Sequence, residues 1–284
     1  MVKKFNVDKK ALLIYPKLLF NKDGNNINGP SLIKAPKWIK SPLGKYYLYF
    51  SHHKGKYIRM AYSEKITGPY KIFKEGVFNL KNSPGRDHIA SPDVHVDSEN
   101  KIIIMYYHTC FNKNQYTLKS TSINGISFKS DNNKIGSYYF RGFRFKNQLY
   151  GIAKGTNNYG KIYKKVNYEW KVIYQKLIKN IRHTAVLVED DKIYLFFSLI
   201  GELQESIYCC NLDINNFQIT NKYKLLKPTL KYEGFNFPKE KSKIGMEKKF
   251  VNQVRDPGIY INKSDKYLLY SVSGEKGIAI AKLT

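Results

Sequence analysis

Short apolar segments alternate with polar turn clusters along most of this chain. The clearest example spans residues 255–275, where two apolar segments, 259–261 and 267–270, flank a polar cluster. This order predicts two antiparallel strands joined by a turn. The start of the first strand and the end of the second lie at the same edge of such a hairpin. We therefore expect Arg255 and Asp256 to lie beside the end of the second strand.

The same strand–turn–strand pattern recurs along the chain. The other copies are residues 29–55, 90–108, 139–155 and 182–202. Further strand-like segments lie between the copies, so that each repeat supplies about four strands, which is the content of a propeller blade. The sequence therefore predicts an all-β fold, a five-bladed β-propeller in which each blade is a four-stranded antiparallel sheet.

We predict one domain, residues 1–284, and five blades. The expected blades are 28–76, 88–130, 136–176, 181–228, and 254–283 together with 11–20. Pairing the N-terminal and C-terminal strands in one blade would close the ring and leave no sheet edge open at the seam. A polar insertion at 81–87 and a lysine-rich insertion at 222–249 interrupt the pattern. The sequence does not decide whether residues 222–253 cover the pocket or a neighbouring surface.

Composition supports the strand prediction and limits the class of protein. The 24 tyrosines and 16 phenylalanines suit strands. Residues 1–20 lack the long apolar stretch and cleavage site of a signal peptide, and no segment is long enough to cross a bilayer, so we expect a soluble, cytoplasmic protein. The three cysteines, Cys110, Cys209 and Cys210, indicate neither a disulfide framework nor a zinc site.

The net charge of +27 raises the question of a nucleic-acid partner. Only six of the 49 basic residues are arginines, and the lysines are scattered over turns and alternate strand positions. This distribution favours a solvated lysine surface. We expect a carbohydrate substrate, no nucleic acid and no membrane partner, and the oligomeric state is left open.

Arginines and histidines occupy equivalent positions in the repeats. Arg86, His88, Arg141, Arg182, His183 and Arg255 precede or begin first strands, and His52, His53 and His108 end second strands. The hairpin geometry places all nine on one face of the ring near its axis. One interpretation is that strand ends around a channel need hydrogen-bond partners. The other is a pocket lined with cations and imidazoles, suited to a polar or anionic small ligand.

Carboxylates are fewer on that face. Asp256 begins the fifth repeat, Asp87 and Asp93 flank the start of the second, and Glu202 and Glu275 follow second strands at matching positions. Cleavage of a glycosidic bond uses two such groups, an acid of raised pKa and a base or nucleophile. Each carboxylate also has a structural interpretation, as a turn residue or, for Asp256, as the residue before a proline.

Several segments resemble one enzyme superfamily. ASPDVHVDSENKIIIMYYH (90–108), GKYYLYFS (44–51) and RDPGIYI (255–261) resemble segments of the five-bladed β-propeller glycosidases. These form the arabinanase/levansucrase-like superfamily, which includes glycoside hydrolase family 43 and the neoagarobiose hydrolase family. The resemblance extends from about residue 28 to residue 283. It implies a sugar-binding funnel on the ring axis, where an Asp base, a second Asp that orients it and an acid act on the bond.

The resemblance implies roles for individual residues. Asp256, in R-D-P, matches the base, and Asp93, in S-P-D-V, matches the second acidic residue. No acidic residue begins the first strand of blades 1, 3 or 4, so the acid is His183 or, as second choice, Glu202. We expect hydrolysis of a polar or acidic glycan by single displacement. The expected substrate-binding residues are His52, His53, Asp87, His88, His108, Arg141, Arg182, Arg255 and Glu275.

Two other functions are compatible with these residues. A cytoplasmic glycoside phosphorylase would use the arginines and histidines to bind phosphate. A non-catalytic propeller would bind an acidic glycan or a partner protein. No cofactor is expected and no residue spacing matches a metal-ligand signature, although the converging imidazoles leave a bound metal ion in the central channel open.

Overall fold

Twenty strands form five antiparallel sheets of four strands in the computed structural model, which describes residues 3–284. The first two residues of the predicted domain lie outside this range. Each sheet is a blade whose first strand lies innermost. The five-bladed β-propeller predicted from the sequence is therefore confirmed.

The blades follow one another along the chain, apart from the first strand. Strand β1 (Val7–Ile14) belongs to blade 5. Blade 1 contains β2 (Asn28–Lys34), β3 (Tyr46–Ser51), β4 (Tyr57–Ser63) and β5 (Lys71–Asn79). Blade 2 contains β6 (Arg86–Asp97), β7 (Ile102–Phe111), β8 (Asn114–Ser122) and β9 (Lys129–Ser137). Blade 3 contains β10 (Arg141–Phe145), β11 (Gln148–Lys154), β12 (Tyr159–Val166) and β13 (Glu169–Lys179), and blade 4 β14 (Ile181–Glu189), β15 (Lys192–Leu199), β16 (Ile207–Leu212) and β17 (Ile219–Leu226). The other strands of blade 5 are β18 (Val254–Asn262), β19 (Asp265–Val272) and β20 (Gly277–Leu283).

The two ends of the chain close the ring in blade 5. Strand β1 pairs antiparallel with β20, from Val7 opposite Leu283 to Ile14 opposite Ile278. The closing strand begins earlier than the predicted segment 11–20 and ends before Pro16, because a proline has no N–H to donate to the ladder. This pairing covers the edge of β20, as ring closure requires.

The period-two pattern of the strands builds the contacts between neighbouring blades. In β3, Tyr47 and Tyr49 pack towards blade 2, whereas Tyr46, Leu48 and Phe50 pack towards blade 5. Successive side chains of a strand point to opposite faces, so one fully apolar strand supplies both interfaces of its blade. Five such apolar clusters separate the five blades.

The lysine-rich insertion is shorter than predicted, because residues 222–226 belong to β17. Residues 227–253 form one short 3-10 turn, Lys231–Glu233, and otherwise irregular chain. The buried Glu233 fixes the turn by accepting hydrogen bonds from the backbone N–H groups of Thr229 and Leu230. Within residues 3–284, no helix has the length and apolar character needed to cross a membrane.

Candidate functional site

The starts of the inner strands carry local irregularities that bring polar side chains together. The strand register shifts between Asn28 and Ser31 in blade 1, between Ile181 and Thr184 in blade 4, and between Arg255 and Gly258 in blade 5. Blade 2 has two such shifts, and Asp93 follows the second. Bulges of this kind re-aim side chains and are frequent beside active sites. We call this end of the ring axis the mouth.

Asp256 and His183 lie together at the mouth. The Nε2 atom of His183 is 3.6 Å from Oδ1 of Asp256, and their residues are 3% and 1% exposed. The ring of Tyr139 stacks on His183 with the centroids 3.7 Å apart. Tyr139 and Asp256 both have positive φ angles, 60° and 52°, which are unusual for residues other than glycine and mark local strain. Two neighbouring blades, 4 and 5, therefore place an acid and an imidazole in contact.

Asp256 has an unusual electrostatic environment. Neither of its carboxylate oxygens has a hydrogen-bond partner among the described residues. Burial and the nearby negative charge of Glu275 raise the pKa of Asp256 to about 7, against an ordinary value of 3.8. Burial and the charges of Arg141 and Arg182 hold the pKa of His183 well below its ordinary value. The surroundings therefore favour the neutral form of both side chains, and Asp256 changes its protonation state near neutral pH.

Glu275 is the ionised partner in this cluster. It accepts hydrogen bonds from the side chain of Asn26 and the backbone N–H of Glu247, and its Oε1 lies 3.4 Å from Arg255 and 3.6 Å from Nδ1 of His53. Although burial opposes ionisation, His53 and the arginines lower the pKa of Glu275 to about 2. The sequence placed Glu275 on this face, and the structure shows a carboxylate that is buried, charged and fully engaged.

Arg182 and Arg255 share a carboxylate that the sequence analysis missed. Nε of Arg182 donates to Oε1 of Glu205 at 2.7 Å, and Arg255 lies 3.4 Å from Oε2 of the same residue. Ser198 donates a second hydrogen bond to Oε1 of Glu205, which is fully buried. These cations overcome the effect of burial and lower the pKa of Glu205. The nearby Glu202, our second choice for the acid, instead accepts a hydrogen bond from Tyr208 and has no hydrogen bond or ion pair to Asp256 or His183 in the described chain.

Asp93 lies deeper along the axis than Asp256. Its Oδ2 accepts hydrogen bonds from the backbone N–H of Gly142 at 2.8 Å and pairs with Nε2 of His95 at 2.7 Å. Arg141 lies 3.9 Å from Asp93, and the charges of both Asp93 and Asp256 act on this guanidinium. Its Nη2 is buried and without a partner among residues 3–284. Arg141 thus stands between the two acidic residues that the resemblance matched to catalytic positions.

The other predicted site residues surround the cluster. His53 contacts Tyr139 as well as Glu275, and the ring of His108 lies 5.2 Å from that of Tyr139. His88 packs against His108, whereas its neighbour Asp87 is exposed. His52 lines a separate cavity of about 590 Å³, which opens between residues 16–25 and residues 246–250.

The insertion covers the mouth. Residues 239–250 form what we call the strap, and the carbonyl oxygens of Lys243 and Gly245 accept hydrogen bonds from Arg182 at 2.7 and 3.4 Å. Glu247 contacts Glu275 through its backbone N–H. Of the two placements that the sequence left open, the structure shows the insertion over the pocket. Its contacts explain why Asp256 and Glu275 are sealed from solvent.

Sequence comparison places the chain beside one viral protein. No protein-family model matches the chain. The uncharacterized protein R118 of Acanthamoeba polyphaga mimivirus is 30% identical over 300 residues, covering 91% of this chain and 83% of the viral protein. The chain belongs to the same family as this viral protein.

Solved structures share the fold at much lower identity. One represents the GH130 family of mannoside phosphorylases, which contains glycoside hydrolases that target β-1,2 mannosidic linkages in Candida mannan; its TM-score is 0.70 at 10% identity, covering 99% of this chain and 95% of that chain. A thermostable family-43 glycoside hydrolase has a TM-score of 0.65 at 13% identity, and the match covers 91% of this chain and 88% of that chain. An exo-1,5-α-L-arabinanase from a bovine ruminal metagenomic library has a TM-score of 0.57 at 12% identity, and the match covers 93% of this chain and 95% of that chain. The resemblance stated from the sequence is confirmed at the level of the fold.

Proposed function

We propose that this protein is a glycoside hydrolase acting on a polar or acidic glycan, with Asp256 as the residue that exchanges a proton with the attacking water. One observation carries the proposal: a buried carboxyl group at the ring axis has two unpartnered oxygens and a pKa raised to about 7. Buried polar atoms without partners are rare and costly in stability, so a retained one indicates a function. Asp256 also stands in the R-D-P segment for which the resemblance implies a base.

Two neighbouring carboxylates with opposite pKa shifts support acid–base chemistry. Glu275 is ionised, with its pKa lowered to about 2, while Asp256 titrates near neutral pH. Environments that separate the pKa values of adjacent groups are a mark of acid–base sites. A base with a pKa near the working pH accepts a proton from water and releases it again in each cycle.

The acid in this proposal is His183, and the proposal requires an anionic or strongly polar substrate. Burial and the adjacent arginines keep His183 neutral in the structure. A negatively charged substrate group would offset the charges of Arg141 and Arg182, and it would thereby raise the pKa of His183 towards the range in which an imidazolium donates a proton. Glu202 is not retained in this role, because its side chain is occupied by Tyr208.

Phosphorolysis is the second candidate, favoured by one feature of Arg141. The guanidinium is buried, and its Nη2 has no partner within the described part of the chain. Arginine recognises phosphate through paired N–H groups. In this mechanism phosphate would replace water as the nucleophile, and cleavage would stop when phosphate is removed.

The test is turnover of an oligosaccharide panel, including uronic-acid oligomers, with and without phosphate. We expect phosphate-independent release of sugar and a loss of roughly 10²- to 10⁴-fold in Asp256→Asn. Asp190→Asn, at an exposed turn, is the matched control and should retain activity. Full activity in Asp256→Asn would remove the assigned role, and phosphate dependence would favour the phosphorylase. Binding of a glycan by both wild type and Asp256→Ala, without turnover of any substrate, would indicate a binding protein.

A further inference from the structure

A second group of chemically reactive side chains lies at the start of blade 2, outside the Asp256 cluster. Asp87, His88 and Cys110 bring a carboxylate, an imidazole and a thiol together, with their potential ligand atoms all within 4.8 Å of one another. Asp87 and His88 stand on β6, whereas Cys110 comes from the neighbouring strand β7. Sequence spacing did not reveal this group, because Cys110 is 22 residues from His88.

The distances between these atoms are close to those around one metal ion. Nδ1 of His88 lies 2.8 Å from Oδ2 of Asp87 and 3.5 Å from Sγ of Cys110, and the sulfur lies 4.0 Å from the carboxylate. A tetrahedral zinc with bonds of about 2.0–2.3 Å holds its ligand atoms roughly 3.3–3.6 Å apart. The His88–Cys110 separation lies in this range, and the other two depart from it by about 0.5 Å in opposite directions, so one ion can reach all three atoms after side-chain movements of that size.

The backbone holds the group in place. Asp87 has a φ of 71°, and its carbonyl oxygen accepts a hydrogen bond from the side chain of Lys56. Thr109 donates a hydrogen bond to the carbonyl of His88 at 2.9 Å. A Cβ at Gly85 would come within 2.1 Å of the Thr109 hydroxyl, so only glycine allows this close approach. Strained backbone that surrounding contacts maintain is typical of ligand sites.

We propose that Asp87, His88 and Cys110 bind one zinc-like divalent cation. The carboxylate and a thiolate would supply two negative charges, which balance the two positive charges of the ion. Carboxylate, imidazole and thiolate are all established zinc ligands, and metal binding releases the thiol proton. Because Asp87 is exposed, water can reach this side of the group and would supply the fourth ligand.

This proposal does not depend on the glycosidase assignment, and its test uses metal alone. The full-length protein, stripped of metal with a chelator and kept reduced, is titrated with Co²⁺ and then Zn²⁺. We expect one equivalent of Co²⁺ to produce a near-ultraviolet sulfur-to-cobalt charge-transfer band, which Zn²⁺ abolishes by displacement. The band reports on the thiolate directly, so a merely structural hydrogen bond between Asp87 and His88 would not produce it.

Variants assign the ligands. Cys110→Ser and His88→Gln should lose the band, and Asp87→Asn should weaken binding with little effect on folding, because the side chain is exposed. Cys210→Ser is the matched control, since that thiol is buried between blades 3 and 4 and should leave the band unchanged. The proposal is overturned by absence of stoichiometric binding, by a band that persists in Cys110→Ser or disappears in Cys210→Ser, or by wild-type affinity in Asp87→Asn. That last variant keeps the test decisive if the buried substitutions fail to fold.

Discussion

The two ends of the ring axis are built from the same five inner strands, and they differ sharply in chemistry. At the mouth, where these strands begin, arginines, histidines and acids are packed out of contact with solvent. At the opposite end, where the strands finish, a cavity of about 1050 Å³ is walled by apolar side chains such as Val186 and Ile259 and is rimmed by lysines. None of the described residues that line this larger cavity is an aspartate or glutamate.

The comparison shows that cavity size is a poor guide to chemistry in this protein. The large cavity is open and holds one paired imidazole, that of His95 with Asp93. The strap covers the mouth, which contains buried polar atoms without partners among the described residues. Unsatisfied, desolvated groups are costly unless a ligand or a reaction uses them, so the closed end is the better candidate for function.

The largest expected effect comes from breaking the buried ion pairs at the mouth. Arg182→Met should lower the free energy of unfolding by about 3–5 kcal/mol, because it leaves Glu205 charged and buried without its main partner. Urea unfolding measures the change. Arg144→Met, at the exposed opposite end, is the matched control. Equal losses in the two variants would contradict the contrast between the ends.

The next effect is on the pH dependence of stability. The folded protein holds a proton on Asp256 up to about pH 7, whereas an unfolded chain loses it near pH 3.8. The native state therefore binds more protons in this window, and the stability contribution of Asp256 is lost as pH rises from about 4 to 7. Wild type should lose stability relative to Asp256→Asn by at most about 1.4 kcal/mol per pH unit. If the free energies of unfolding of wild type and Asp256→Asn change in parallel with pH across this window, Asp256 has an ordinary pKa.

A smaller effect concerns the strap. Residues 239–250 lack regular structure and are joined to the mouth by a few hydrogen bonds, whereas β14 and β18 each pair with the second strand of their blade over most of their length. Local opening should therefore expose the strap amides before those of β14 and β18. Hydrogen exchange followed by mass spectrometry measures the order. Strap amides that exchange only with global unfolding would mean that the covering is permanent, and a sugar would then have no route to Asp256.

The smallest effect is expected at the open end. Lys263→Ala removes a cation that lines the larger cavity and makes no ion pair with any described carboxylate. Its effect on unfolding should stay within about 0.5 kcal/mol, and sugar turnover should not change. Thermal unfolding and the oligosaccharide assay check both statements. A marked loss of turnover would place the working site at the wrong end of the axis.

The sequence predicted the site residues unevenly. Residues whose position follows from the hairpin pattern, such as Asp256, His183 and Glu275, lie together at the mouth as expected. Residues in the connecting segments do not follow from that pattern. Glu205 and Glu202 are three residues apart in one hairpin, and only the folded turn determines which of them meets Arg182 and which meets Tyr208.

The sequence by itself determined the repeated strands, their number and the closure of the ring. Alternation of apolar and polar residues is a local property, and it follows directly from the alternating direction of side chains along a strand. The sequence also predicted that nine arginines and histidines lie near one end of the axis, and most of them do, although Arg86 is exposed and His52 lines a separate cavity. Only the tertiary structure decided the position of the strap, the partner of each buried charge and the meeting of Cys110 with His88. These depend on the packing of distant segments and on how far each group is removed from water, which no local pattern encodes.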